Sequence, residues 1–233
     1  MRALIFAAGV GERMRPLTDT TPKPLLPVGG TPLIVWHLRK LAAIGVRDVV
    51  INTSWLAGCF APALGDGSAF GVRLHYAHEG DTPLETGGGM LQALPLLGDA
   101  PFIAVSGDIW TDYDFARLRL APADDAHLVL VDNPPHHPEG DFVLDDGRVH
   151  DARGDGDRLT FAGIGVYRPS LLDNWHAAAG DDPGVDARPP RFKLAPLLRA
   201  AMAAGRVGGE QHTGAWTDVG TPERLARLDA ALR

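Results

Sequence analysis

A single cysteine, Cys59, stands in 233 residues, which excludes an intramolecular disulfide, and no cluster of cysteines and histidines has zinc-ligand spacing. Lysine is nearly as scarce: Lys23, Lys40 and Lys193 face nineteen arginines. Positive charge is delegated to arginine, so each lysine needs its own reason. Lys40 has one at the polar end of a helix, where a cation suits the dipole, whereas Lys23 sits between two prolines in "TPKPLLP". Blocks of basic residues are absent, and 22 Lys and Arg against 29 Asp and Glu give a formal charge of −7. Such a chain repels polyanions, which argues against a nucleic-acid groove and requires any bound phosphate to be held locally. Long apolar runs are missing too. The opening "ALIFAAGVG" is too short to span a bilayer and lacks the basic region and cleavage pattern of a signal peptide. A cytoplasmic protein with no membrane and no nucleic-acid partner is expected.

What is present is 45% hydrophobic content, enough for a substantial core. Short apolar runs at 3–7, 48–52, 72–77 and 102–108 alternate with helix-like runs at 31–45, 54–65 and 88–98. That order predicts an α/β fold with a mostly parallel sheet. Thr31 and Pro32 read as an N-cap and first-turn pair, with Gly45 as the stop. Beyond residue 126, "HLVLVD", "DFVLDDGRVHD" and "LTFAGIGVYRP" are strand-like, and Asp146-Gly147 signals a hairpin, so a small antiparallel part is expected. The Gly-, Pro- and Asp-rich stretch 177–191 predicts a mobile loop, and helices close the chain at 192–205 and 221–233.

The segment "AAGVGERMRPLTDTTPKPLLPV" (7–28) is too long for a plain strand-to-helix connection, which usually takes about 2 to 6 residues. Gly9 and Gly11 let backbone N–H groups approach an anion, and Arg13 and Lys23 add full charges. The spacing matches neither a Walker A loop nor the dinucleotide fingerprint, whose third glycine is here Met14. A structural turn alone has no need of Arg13, Arg15 and Lys23 around the same glycines.

"LIFAAGVGERMRPLTDTTPKPLLPVGGTPLI", with "PLETGGGMLQAL", "VSGDIW" and "WTDVGTPERL", resembles the signature of nucleotidyltransferases that make nucleoside-diphosphate sugars. Within that group, "GERMRPLT", "YAHEGDTPLETGGG", "GDIWTDYDFARL" and "FKLAPLLRAAMAAGRV" are most similar to the N-acetylmuramate-1-phosphate uridylyltransferases of peptidoglycan recycling. The resemblance covers essentially the whole chain. It implies a Rossmann-like mixed, mostly parallel sheet flanked by helices, in one domain over 1–233. Residues 1–110 would mainly bind nucleotide and 111–233 mainly sugar. It also implies Mg²⁺-dependent transfer from UTP to a sugar 1-phosphate, by a minimal single-activity enzyme that is a monomer or weak homo-oligomer.

The resemblance further implies the site. Arg13 and Lys23 hold the triphosphate as the catalytic cations, and backbone of Ala8, Gly9, Gly11 and Gly88 meets the nucleotide. Glu79 reads the base edge, or is a solvated loop acid. Asn133, Gly140, Asp141 and Gly163 contact the sugar, while Asp108 and Asp218 supply hard oxygen ligands to the metal. Two departures stand out. Glu12 replaces the usual Thr or Ser before the loop arginine, and the Glu-Lys-Pro motif expected after "GRVHDARG" is missing. Lys193 either supplies the missing charge or is an ordinary exposed lysine. His136 and His137, in a Pro-flanked loop, read as solvated, and Trp110, Trp175 and Trp216 as packing residues. Two other functions stay open: the same chemistry on other substrates, such as GTP with mannose 1-phosphate, and a catalytically silent nucleotide-sugar sensor.

Overall fold

The computed structural model describes residues 1–151 and 157–233. Its strands are β1 (Ala3–Phe6), β2 (Pro27–Val28), β3 (Thr31–Pro32), β4 (Asp48–Thr53), β5 (Arg73–His78), β6 (Phe102–Ser106), β7 (Ile109–Thr111), β8 (Ala126–Val131), β9 (Phe142–Asp145), β10 (Arg148–His150), β11 (Arg158–Tyr167), β12 (Val207–His212) and β13 (Trp216–Asp218). The helices are α1 (Leu33–Ala43), α2 (Phe60–Leu64), α3 (Glu85–Leu97), α4 (Trp175–Ala179), α5 (Ala195–Ala203) and α6 (Pro222–Ala231). Among the described residues no helix is long and apolar enough to cross a membrane.

One mixed sheet runs in the order β5-β4-β1-β6-β11-β8-β12-β10-β9. The first four strands are parallel. β11 then runs antiparallel to both β6 and β8, and the β9–β10 hairpin closes the far edge. Alternation along the strands sorts two cores. Ala3 and Ile5 pack with Ile34, Leu38 and Leu41 of α1, whereas Leu4 packs with Met90 and Ala93 of α3.

Thr31 and Pro32 do not begin a helix. Val28 pairs with Thr31 and Pro27 with Pro32 across a Gly29–Gly30 turn, so α1 starts at Leu33. The stretch 177–191 also differs from its expectation. Val185 is buried, Arg191 N donates to Gly184 O at 2.9 Å, and Phe192 N donates to Leu84 O at 3.2 Å. Phe192 is fully buried and stacks on Trp175 at 4.8 Å. Composition counted the glycines, prolines and aspartates and overlooked the apolar anchors among and just beyond them. The position of the missing Glu-Lys-Pro motif lies partly outside the described residues.

Three glycines of α3 explain how this strap fits. A Cβ on Gly87 would lie 2.5 Å from the Phe192 ring, one on Gly88 2.5 Å from Pro190 O, and one on Gly89 2.4 Å from Glu79 Oε1. The helix is bare so that three neighbours can close on it. Gly89→Ala gains about 1 kcal/mol of helix propensity, but overpacking a rigid neighbour costs about 2 to 3. The unfolding free energy is therefore expected to fall by about 1 to 2 kcal/mol, seen as a lower urea midpoint at unchanged m-value. A midpoint above that of the parent chain would show the Glu79 side chain to be free to move aside.

Candidate active site

The long segment behind β1 is folded back on itself and tied to the chain after β4. Thr18 Oγ1 donates to Gly11 O at 2.8 Å, and Trp55 Nε1 donates to Thr18 O at 2.9 Å. Gly11 takes the left-handed conformation at φ 69°, which turns the chain into the short helical turn Glu12–Met14. Met14, where the dinucleotide fingerprint has glycine, is completely buried with Leu26, Val28, Leu33, Val219 and Leu228. It is an anchor, and it ties the loop to α6.

Ala8, Gly9, Gly11, Arg13, Lys23, Glu79 and Asp108 all line one cavity of about 690 Å³. Lys23 Nζ lies 2.6 Å from Asp108 Oδ2, with the lysine side chain only 12% exposed. Arg13 is exposed and makes no ion pair among the described residues. Its guanidinium is therefore available to a ligand.

Glu79 is no solvated loop acid: it is buried in the lining of this cavity, with both carboxylate oxygens accepting hydrogen bonds. Leu84 N donates to its Oε2 at 2.7 Å and Asn52 Nδ2 to its Oε1 at 2.6 Å, while Asn52 Oδ1 accepts from Ala7 N at 2.7 Å. Burial pushes its carboxyl above the usual range, and the hydrogen bonds from Leu84 and Asn52 pull the other way. Glu79 braces the cavity floor. Gly88 is likewise removed from the ligand side, because its N–H donates to Phe192 O at 3.0 Å and its Cα faces the strap.

A second cavity, of about 510 Å³, adjoins the first and shares Arg13, Thr86 and Ser106 with it. Asp141 and Gly163 line it with Phe161, Ala162 and Trp216. Asn133 and Gly140 do not. The Asn133 amide donates to Pro138 O and Arg158 O and accepts from Thr160, and Gly140 backs onto it, so both shape the loop. Lys193 is exposed and lines neither cavity. His136 and His137 are solvent-accessible loop residues as expected, with side chains 39% and 40% exposed, yet each also meets a carboxylate. His137 Nε2 meets Asp141 Oδ1 at 3.2 Å, and His136 Nε2 meets Asp218 Oδ1 at 2.9 Å.

The backbones of Asp108 and Asp218 come together at a separate two-stranded sheet of β7 and β13. Asp218 pairs with Ile109 across β7–β13, and Val219 N donates to Asp108 O at 2.7 Å. Among the described residues no three His, Cys, Asp or Glu side chains form a metal cluster. Asp108 lines the first cavity and Asp218 the second, and both are hard oxygen donors of the kind a divalent cation takes together with phosphate oxygens and water. Each carboxylate has a cationic neighbour on one oxygen: Lys23 on Asp108, and Arg224 on Asp218 at 2.7 Å.

Sequence reasoning missed Asn52, Glu85 and Arg191 among the lining residues. Glu85 carries φ 63° and pairs with Arg191 at 3.2 Å, a strained residue at the cavity mouth. The charged residue directly before "TGGG" was the one local signal for it.

The Nucleotidyl transferase family model matches residues 2–144. The chain is 50% identical to an N-acetylmuramate alpha-1-phosphate uridylyltransferase of Neisseria meningitidis serogroup B, over 99% of this chain and 97% of that protein. A Mycobacterium tuberculosis mannose-1-phosphate guanylyltransferase is 30% identical over 99% of this chain, which spans 64% of that protein. Among solved structures, a putative glucose-1-phosphate thymidylyltransferase from Bacillus anthracis, in complex with a sucrose, superposes with a TM-score of 0.82 at 22% identity over 100% of this chain and 95% of that one. By the family match over more than half its length and by full-length similarity, the chain belongs to the nucleotidyl transferase family.

Proposed function

We propose that the protein transfers a uridylyl group from UTP to N-acetylmuramate 1-phosphate, giving UDP-N-acetylmuramate and pyrophosphate, with Mg²⁺ as the metal. The observation that carries this reading is the 50% identity, sustained over 99% of the chain, to the uridylyltransferase of N. meningitidis. The match to a guanylyltransferase at 30% supports the class and is weaker support for GTP and mannose. A cytoplasmic place in peptidoglycan recycling goes with this reading.

The chemistry follows from charge. A non-bridging oxygen of the sugar 1-phosphate attacks the α-phosphorus in line, the bond to the β-phosphate bridging oxygen breaks, and pyrophosphate leaves. The nucleophile is already ionised, so no general base is needed. The barrier lies in bringing two polyanions together, and catalysis is positioning plus electrostatic stabilisation. Arg13 and Lys23 hold the triphosphate and the departing pyrophosphate, with backbone of Ala8, Gly9 and Gly11 closing round the nucleotide. The sugar occupies the cavity lined by Asp141 and Gly163. Asp108 and Asp218 would hold Mg²⁺, which when bound would supply charge neutralisation at the reacting phosphates.

The test is pyrophosphate release with UTP, GTP, dTTP, CTP and ATP, each paired with N-acetylmuramate, N-acetylglucosamine, glucose and mannose 1-phosphates, with and without Mg²⁺. Preference for UTP with the muramate is the expected result. Turnover only with another pair would overturn the substrate assignment, and silence in every pair would favour a sensor.

A further inference from the structure

The sugar-side cavity opens away from Lys23 into a third space of about 800 Å³, with which it shares Arg13, Pro134, His136 and Trp216. Arg13, Arg224 and Arg227 line this space against one carboxylate, Glu223. Arg13 serves the triphosphate together with Lys23, which leaves Arg224 and Arg227 as positive charge beside the pyranose cavity with no part in holding it.

Arg224 is the best placed of these residues. It lies in the first turn of α6, where Thr221 Oγ1 accepts from its backbone N–H, and its side chain is only 12% exposed. Its Nη1 donates to Asp218 Oδ1 at 2.7 Å and meets His136 Nε2. Nη2 lies over Gly220, whose missing Cβ leaves room for it. Neither Nε nor Nη2 has an acceptor among the described residues. The guanidinium thus keeps one edge on the protein and offers the other, the edge that matches a carboxylate bidentately.

N-acetylmuramate differs from N-acetylglucosamine by an ether-linked lactate at C3, a short arm that ends in a carboxylate. With the 1-phosphate turned toward Lys23, a sugar in the 510 Å³ cavity has the His136 and Trp216 side as its way out. A carboxylate taken into a half-buried space needs a charged partner. We propose that Arg224, held by Asp218 and His136, forms the subsite for the carboxylate of the acceptor sugar and sets the preference for an acidic sugar over its neutral parent. The inference rests on the uridylyltransferase reading and adds to it a specificity-determining residue.

The products separate the two ideas, since UDP-N-acetylmuramate and UDP-N-acetylglucosamine differ only in the lactyl arm. Dissociation constants for both are measured by calorimetry without added metal, for the parent chain, Arg224→Gln and Arg224→Lys. The expected result is an Arg224→Gln chain that loses about 10- to 100-fold for the muramate product and about 2-fold or less for the other. Arg224→Lys keeps the charge without the fork and should fall between. Should Arg224→Gln fail to fold, the same comparison is read from Arg224→Lys. Equal weakening of both products would mean that Arg224 acts only through Asp218, and an intact preference would remove it from the sugar site; either overturns the subsite. If the parent turns over N-acetylmuramate 1-phosphate with UTP in those cases, the proposed function survives. A parent that rejects that pair and shows no product preference sinks both.

Discussion

Replacing Lys23 with alanine is expected to lower kcat/KM for nucleotidyl transfer about 10³-fold, or about 4 kcal/mol of transition-state stabilisation, in a chain that stays folded. The short turn Lys23–Leu25 holds the residue between Pro22 and Pro24, which fix the backbone, and its side chain is only 12% exposed. An ammonium so placed meets developing phosphate charge with little reorganisation, and in a partly dry site that is worth far more than in water. Stability moves less. The partner carboxylate of Asp108 is 40% exposed, so water can replace the lost ion pair. Pyrophosphate release alongside a thermal melt reads both quantities. A rate within about 10-fold of the parent would remove Lys23 from the transition state, since loss of even one preorganised donor usually costs more.

The part of the site written in one stretch of chain was legible. Gly9, Gly11, Arg13 and Lys23 lie within fifteen residues, and no packing argument explains that mixture of glycines and cations. Alternating runs gave the parallel strands for the same reason, because burial on both faces is a local property of sequence. The opposite holds where a residue is spent on a distant partner. Asn133 looked like a ligand group and is used to tie its loop to Pro138 and Arg158. Gly88 looked like part of a nucleotide-binding glycine run and is bare to admit the backbone of Pro190 and Arg191, more than 100 residues away.

His136 shows the limit most clearly. Its neighbour Arg224 is 88 residues downstream, and the two meet where β13, paired with β7 in a two-stranded sheet, places Asp218 between them. Nothing in "NPPHHPEG" announces that contact. The motif "WTDVGTPERL" pointed to Asp218, but the role of its arginine depends on where the chain turns after Gly220.

Asp108→Asn carries the other large effect, and its value lies in separating two duties of one carboxylate. Asparagine keeps the shape and an acceptor for Lys23 Nζ, and the backbone bond from Val219 N to Asp108 O at 2.7 Å is untouched, so the fold is expected to hold. Stability should change by about 1 kcal/mol or less for a side chain 40% exposed. Turnover should fall about 10³-fold or more, because a neutral amide is a poor ligand for a hard cation that Asp218 alone cannot position. If Asp108 served only to seat Lys23, Asp108→Asn in a Lys23→Ala background would cost nothing further, and the Mg²⁺ dependence would match that of the parent. If it also holds the cation, the double variant falls below Lys23→Ala, and the single variant needs far more Mg²⁺ for its residual rate. The cycle reads the coupling of the two residues, and the Mg²⁺ titration separates seating from metal binding.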